Sequence, residues 1–155
     1  MRLLATTLAA VLMTILGATA SAAEPASRVE WQPDLKAAHK LARQTNKPIM
    51  IVFGADWCTY CHKLERNVLN QPEMSTYINE HFVPVHLDFD DEQKVAEILE
   101  VKSLPCTVVI SPNADLLGKF VGYAEAPKFA ANLESAEDVY RTIQTAAVPG
   151  KATVQ

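Results

Sequence analysis

Ile49-Met50-Ile51-Val52-Phe53-Gly54-Ala55-Asp56-Trp57-Cys58-Thr59-Tyr60-Cys61-His62 is the stretch that decides the fold. Its first five residues form a short unbroken apolar run, rich in β-formers and too short for a typical helix. Such a run predicts a strand buried on both faces. Gly54 to Trp57 read as the turn that leaves it. A helix is predicted from about Cys58, because Cys61, Leu64, Val68 and Leu69 can share one helical face. Cys58 then stands over backbone N–H groups that lack intrahelical partners, at the positive end of the helix dipole. Both favour thiolate over thiol, and such surroundings can bring a cysteine pKa from about 8.5 to roughly 3.5–7.5. Cys61, one turn further in, is expected to be the less exposed thiol and close enough to resolve a mixed disulfide. The spacing also closes a small ring, so the pair can cycle between dithiol and disulfide. A Cys-x-x-Cys by itself also serves as half a zinc site; its place between a buried strand and a helix sharpens the redox reading.

Outward from this stretch, Leu35, Ala38, Leu41 and Ala42 recur at helical spacing. Pro33 suits the first helical position, and Thr45-Asn46-Lys47-Pro48 stops the helix. On the other side Gln71-Pro72 interrupts the helix begun at Cys58, and Met74, Tyr77 and Ile78 predict a second short one. Residues 82–89 predict a strand with Val83, Val85, Leu87 and Phe89 on one face. Asp90 followed by Gln93 has the form of a capping box, and Val95, Ile98 and Leu99 mark the helix after it. The Asp88, Asp90, Asp91, Glu92 run lacks the Gly and terminal Glu spacing of an EF-hand loop, so it reads as strand end plus cap. Residues 107–110 predict a further buried strand, 111–115 a turn and 116–121 its hairpin partner. Pro127 opens the last helical region, with Phe129, Leu133, Tyr140 and Ile143 inward; a second capping-box pattern at residues 135–138 would divide it in two. Alternation followed by a hairpin predicts an α/β fold with a central mixed β-sheet and helices on both faces.

The chain has 155 residues, which favours one domain. About half are apolar and a fifth charged, as in globular proteins that bury a core without disulfide scaffolding. The net charge of −4 and the lack of a Lys/Arg cluster argue against a nucleic-acid groove and against a polybasic membrane patch. Residues 1–23 read as a signal peptide: Arg2, an apolar run from Leu3 to Leu16, then small residues ending in Ser21-Ala22-Ala23. The apolar run is short for a membrane span of roughly 20 residues. Cleavage is expected after Ala22 or Ala23, with an uncleaved anchor as the other reading. Residues 24–147 would then form the domain and 148–155 a flexible tail. Export allows disulfides to persist, and three cysteines, Cys58, Cys61 and Cys106, cannot all pair within one chain.

These motifs resemble the thioredoxin superfamily. Trp57-Cys58-Thr59-Tyr60-Cys61 lies at a strand-to-helix turn, Leu104-Pro105-Cys106 places a proline before a strand, and the hairpin ends in Gly122. The match runs in family order over about residues 30–145. The lead-in from Asn46 to Ile49 and the extra N-terminal helix look like exported proteins related to the C-terminal domain of the bacterial membrane disulfide reductase. The resemblance implies a thioredoxin-like fold and a periplasmic or secreted thiol:disulfide oxidoreductase, with reduction the favoured direction. Cys58 would be the nucleophile and Cys61 the resolving thiol, with Trp57 shielding one side. Pro105 would follow a cis bond and face the pair, and the Leu104 backbone would meet an extended substrate segment as an added strand does. An ordinary turn proline is the other reading of Pro105. The expected partners are protein thiols and disulfides and a membrane electron donor or acceptor. There is no nicotinamide or flavin motif, so the Cys58–Cys61 disulfide would be the redox group, with no other cofactor or metal. A monomer is expected.

The chain also departs from the family. Val52 stands where thioredoxins carry a buried Asp, and His86 lies near the place of a common Lys. Asp56, Glu65 or His86 are candidates for proton relay, with solvent as the alternative. Thr59-Tyr60 replaces the Gly-Pro of general reductases, and Tyr60 resembles the residue before the second cysteine of periplasmic isomerases. The dipeptide leaves the potential open within a family range of roughly −270 to −120 mV. Cys106 replaces the Thr that commonly follows the proline. It reads as a small buried hydrophobe, as a thiol exchanging with Cys61 or substrate, or as a metal ligand with Cys58, Cys61 and His62. His62 either tunes the pair or is an exposed first-turn residue. Trp57, Tyr60 and Tyr123 are candidates for an apolar rim suited to a protein substrate. A second class of function is a binding module that uses the fold without turnover, its cysteines a static disulfide or a metal holder.

Overall fold

The computed structural model describes residues 28–146. The signal peptide and the C-terminal tail read from the sequence lie outside them. In chain order the elements are α1 (Leu35–Thr45), β1 (Ile49–Gly54), α2 (Thr59–Leu64), a π-helical turn (Glu65–Leu69), α3 (Pro72–His81), β2 (Val83–Asp88), α4 (Gln93–Ile98), β3 (Cys106–Ile110), β4 (Leu116–Val121) and α5 (Ala126–Ala146). The sheet order is β2-β1-β3-β4, with β1 parallel to β2 and antiparallel to β3, and β4 antiparallel to β3. This is the mixed sheet that alternation followed by a hairpin predicts.

β1 is buried along its whole length because it is central and both faces are covered. One face carries Met50, Val52 and Val109 against Leu64, Val68, Ile78, Leu133 and Tyr140, the faces of α2, the π turn, α3 and α5. The other carries Ile49, Ile51, Phe53, Val85 and Val108 against Ala38 and Ala42 of α1 and Ala96 of α4. Side chains alternate along each strand, so neighbours in sequence serve opposite cores.

Several boundaries differ from the sequence reading. α1 starts one residue beyond Asp34, whose Oδ1 accepts from the Ala37 N–H at 2.6 Å, so Pro33 precedes the cap and is not its first residue. α5 is one helix, not two: Leu133, Ala136 and Tyr140 continue a buried stripe straight through residues 135–138, and that burial outweighs a local capping pattern. Asp90 does not cap α4. Glu92 takes the cap position without a side-chain bond, and Asp88 Oδ1 accepts from the Asp90 N–H at 2.8 Å. Ile98, placed with the apolar marks of α4, is exposed at the helix end.

Candidate active site

The parallel register of β1 with β2 and the antiparallel register of β1 with β3 bring three segments to one end of the sheet. Gly54 lies beside Asp88, Phe53 beside Cys106, and the turn to α2 leaves from Gly54. Cys58 is the N-cap of α2, with φ −85° and ψ 94°, and its Sγ accepts from the Cys61 N–H at 3.1 Å. The Cys58 carbonyl meanwhile accepts the first helical bonds, from Cys61 and His62. A sulfur in this position does what an Asp or Ser does at other helix starts: it satisfies an orphan donor, which stabilises negative charge on that sulfur. Cys58 and Cys61 are joined as a disulfide with their Cα atoms 5.2 Å apart.

The pair is not exposed in the expected order. Cys58 is the buried partner, at 6% exposure, and Cys61 is partly open. Cys61 lines a small, solvent-open cavity of about 120 Å³ with Asp56, His62, Glu65, His86 and Asp88.

Around the disulfide, Thr59 and Tyr60 are exposed on the first turn of α2. Trp57 is 65% exposed, and its Nε1 donates to Asp90 Oδ2 at 2.8 Å, which ties the indole to the segment after β2. Asp90 is therefore a site residue that reading it as a helix cap missed; only the long-range contact assigns it. His62 is exposed, with Nε2 2.9 Å from the Asp56 carbonyl oxygen. Tyr123, the third residue of the expected rim, is partly buried, with Lys63 Nζ 4.1 Å from its ring centroid.

The Leu104–Pro105 peptide is cis. Leu104 is half-buried, Pro105 is buried, and the Pro105 carbonyl accepts from the Gly122 N–H at 2.8 Å. That bond carries the hairpin pairing one step past β3. Gly122 there adopts φ 89°, a left-handed conformation that favours glycine.

Cys106 is free and 1% exposed, and it packs with Phe53, Val85 and Leu87 in the core beneath α1 and α4. Burial pushes its thiol pKa up, with the Lys119 ammonium opposing. The metal-ligand grouping of Cys58, Cys61, Cys106 and His62 is not assembled: Cys58 and Cys61 bond each other, and Cys106 belongs to the core on the other sheet face. Among the described residues no group of three or more His, Cys, Asp or Glu side chains could hold a metal ion.

The family model for the thioredoxin-like domain matches residues 35–137. Spermatogenesis-associated protein 20 of Rattus norvegicus is 31% identical over 70 residues, 45% of this chain and 9% of that protein. Disulfide bond reductase DsbH of Chlamydia pneumoniae is 29% identical over 73 residues, 46% of this chain and 43% of that protein. The chain thus spans less than half the length of either relative. Among solved structures, a DsbH oxidoreductase aligns with a TM-score of 0.67 at 21% identity, over 74% of this chain and 88% of that one. The oxidised C-terminal domain of DsbD from Neisseria meningitidis aligns with a TM-score of 0.57 at 23% identity, over 65% and 90%. These two likenesses bear on the fold.

Proposed function

The chain belongs to the thioredoxin-like domain family, and from that premise we propose that it is an exported thiol:disulfide oxidoreductase acting on protein disulfides. The observation that carries the proposal is the Cys58–Cys61 disulfide at the start of α2, with Cys58 Sγ facing the Cys61 N–H. In the reduced protein that donor favours the Cys58 thiolate, the species that attacks a disulfide. Cys58 is the nucleophile and forms a mixed disulfide with substrate. Cys61 resolves it by attacking Cys58, which restores the internal bond and releases a reduced substrate. Reduction is the favoured direction, supported by the tryptophan-flanked motif and by the likeness to the disulfide bond reductase DsbH.

Trp57, Leu104 and Pro105 form the substrate-facing surface. Support comes from the exposed indole beside Cys58 and from the placement of Leu104-Pro105 at the same end of the sheet. Electrons come from, or go to, a membrane partner. The protein acts as a monomer in the periplasm or outside the cell after removal of residues 1–23.

Trapping tests the reading. A Cys61→Ala variant expressed with its leader should accumulate mixed disulfides at Cys58, and mass spectrometry of the trapped species names the substrates. If no adduct forms at Cys58 under oxidising conditions, the chain is a binding module with a static disulfide.

A further inference from the structure

Resolution needs a proton acceptor beside Cys61, because that thiol must ionise before its sulfur can attack. The usual acid of the β1 strand is absent: Val52 is buried in the apolar core there. Its parallel neighbour in the register is His86, on the same face of the sheet. His86 and Cys61 meet over the bare Cα of Gly54. A carbon added to that glycine would stand 2.9 Å from His86 Nε2 and 3.6 Å from Cys61 Cβ, so only a residue without a side chain allows the approach. Both line the same cavity of about 120 Å³, which is large enough for water and opens to solvent.

The histidines differ in one respect. His39 is bonded to the Pro112 carbonyl, His62 to the Asp56 carbonyl and His81 to Glu137. The His86 ring has no hydrogen-bond partner among the described residues; it packs edge-on to Trp31 with centroids 5.7 Å apart. The charged groups facing it are Glu65 from the π turn and Asp88 from its own strand, with Asp56 and His62 also on the cavity wall.

We propose that His86 is the proton acceptor for Cys61 in the resolving step. The inference rests on the exchange activity proposed above. In the reducing direction Cys58 is already bonded to substrate. Cys61 gives its proton to the neutral imidazole, and the Cys61 sulfur lone pair forms the bond to Cys58 Sγ. The Cys58–substrate bond breaks, its electron pair leaves on the substrate sulfur, and that thiolate is protonated by water. The imidazolium returns its proton to solvent through the cavity. The protein dithiol is oxidised to a disulfide, the substrate disulfide is reduced to two thiols, and no further reductant is needed. Partial removal of the ring from water pushes the His86 pKa below the ordinary 6.5, with Glu65 and Asp88 pulling the other way. The imidazole is therefore neutral at pH 7, the form an acceptor requires.

The test separates the two chemical steps. Reduced full-length protein is mixed with an aromatic disulfide whose released thiolate absorbs visible light. The first equivalent of thiolate reports attack by Cys58, and the second reports resolution by Cys61. His86→Gln should leave the first rate within about twofold and slow the second on the order of 10²-fold at pH 7. In the unmodified protein the second rate should rise with pH through an ionisation below 6.5, and this inflection should vanish in the variant. A variant with both rates lowered equally, or with the second rate and its pH profile unchanged, overturns the relay. The unmodified profile decides the matter even if His86→Gln does not fold: no inflection below 6.5 overturns it too. Failure to release the first equivalent in the unmodified protein would instead count against the exchange activity itself.

Discussion

Cys58 and Cys106 are both nearly inaccessible, at 6% and 1% exposure, yet their surroundings give the two sulfurs opposite chemistry. Cys58 Sγ faces a backbone donor at a helix start, whereas Cys106 lies among Phe53, Val85 and Leu87 with its thiol pKa raised by burial. On the proposed reading, burial does not rank reactivity in this molecule; what ranks it is whether a donor aims at the sulfur. The sharpest way to break the comparison is alkylation of the reduced protein at pH 7, followed site by site by mass spectrometry. Cys58 should react directly. Cys106 should react only when the chain opens, slower by at least ~10³-fold for a domain with about 5 kcal/mol of stability. Comparable rates would show that the Cys106 core breathes or that the donor at Cys58 does little.

Much of this contrast is legible in the sequence. The apolar run before Trp57-Cys58, the alternation of elements and the closing hairpin predict the mixed sheet, and they place Cys58 where the structure has it. For Cys106, a strand start in a core leaves three readings open, and only the register with Phe53 selects the buried one. The same limit applies to Cys61. One helical turn separates it from Cys58, but its exposure depends on what lies across β1, and the pairing of β1 with β2 brings a bare Gly54 and His86 there. Asp90 shows a related limit. Its spacing to Gln93 satisfies a local pattern, while its carboxylate is taken by an indole 33 residues earlier in the chain. Local patterns compete with long-range contacts, and sequence shows only one of the competitors.

A second prediction uses stability instead of reactivity. Cys106→Ala removes one buried heavy atom from a packed core and should cost about 1 kcal/mol, like other single-group deletions. Cys106→Ser places a hydroxyl among apolar side chains and should cost roughly 1–3 kcal/mol. Both are measured from urea midpoints, and both variants should retain disulfide exchange through Cys58. The sign of the pH effect follows from the raised pKa. The unfolded thiol ionises near 9.0 and the folded one at a higher pH, so between the two the unfolded state binds fewer protons and stability falls as pH rises past 9.0. In Cys106→Ala that part of the alkaline decline should be missing. An identical pH profile for the two proteins would mean that the thiol is not desolvated in the fold.

The smallest expected effect bears on the other wall of the Cys58 site. Trp57 is exposed but held by its bond to Asp90 Oδ2, so it can act on Cys58 only as a cover, whereas the Cys61 N–H acts on the charge of the sulfur. Asp90→Ala releases the indole and leaves the donor untouched. Because both partners are solvent-exposed, stability should change by no more than about 0.5 kcal/mol. Cys58 alkylation should quicken about twofold at most, since a group exchanging with water on one side gives limited shelter. The pH at which Cys58 alkylation reaches half its maximum should not move, because the backbone donor sets it. A rate gain of tenfold without a shift in that pH would transfer the control of Cys58 from the helix start to the indole, and an accompanying shift would make Asp90 part of the thiolate's electrostatics.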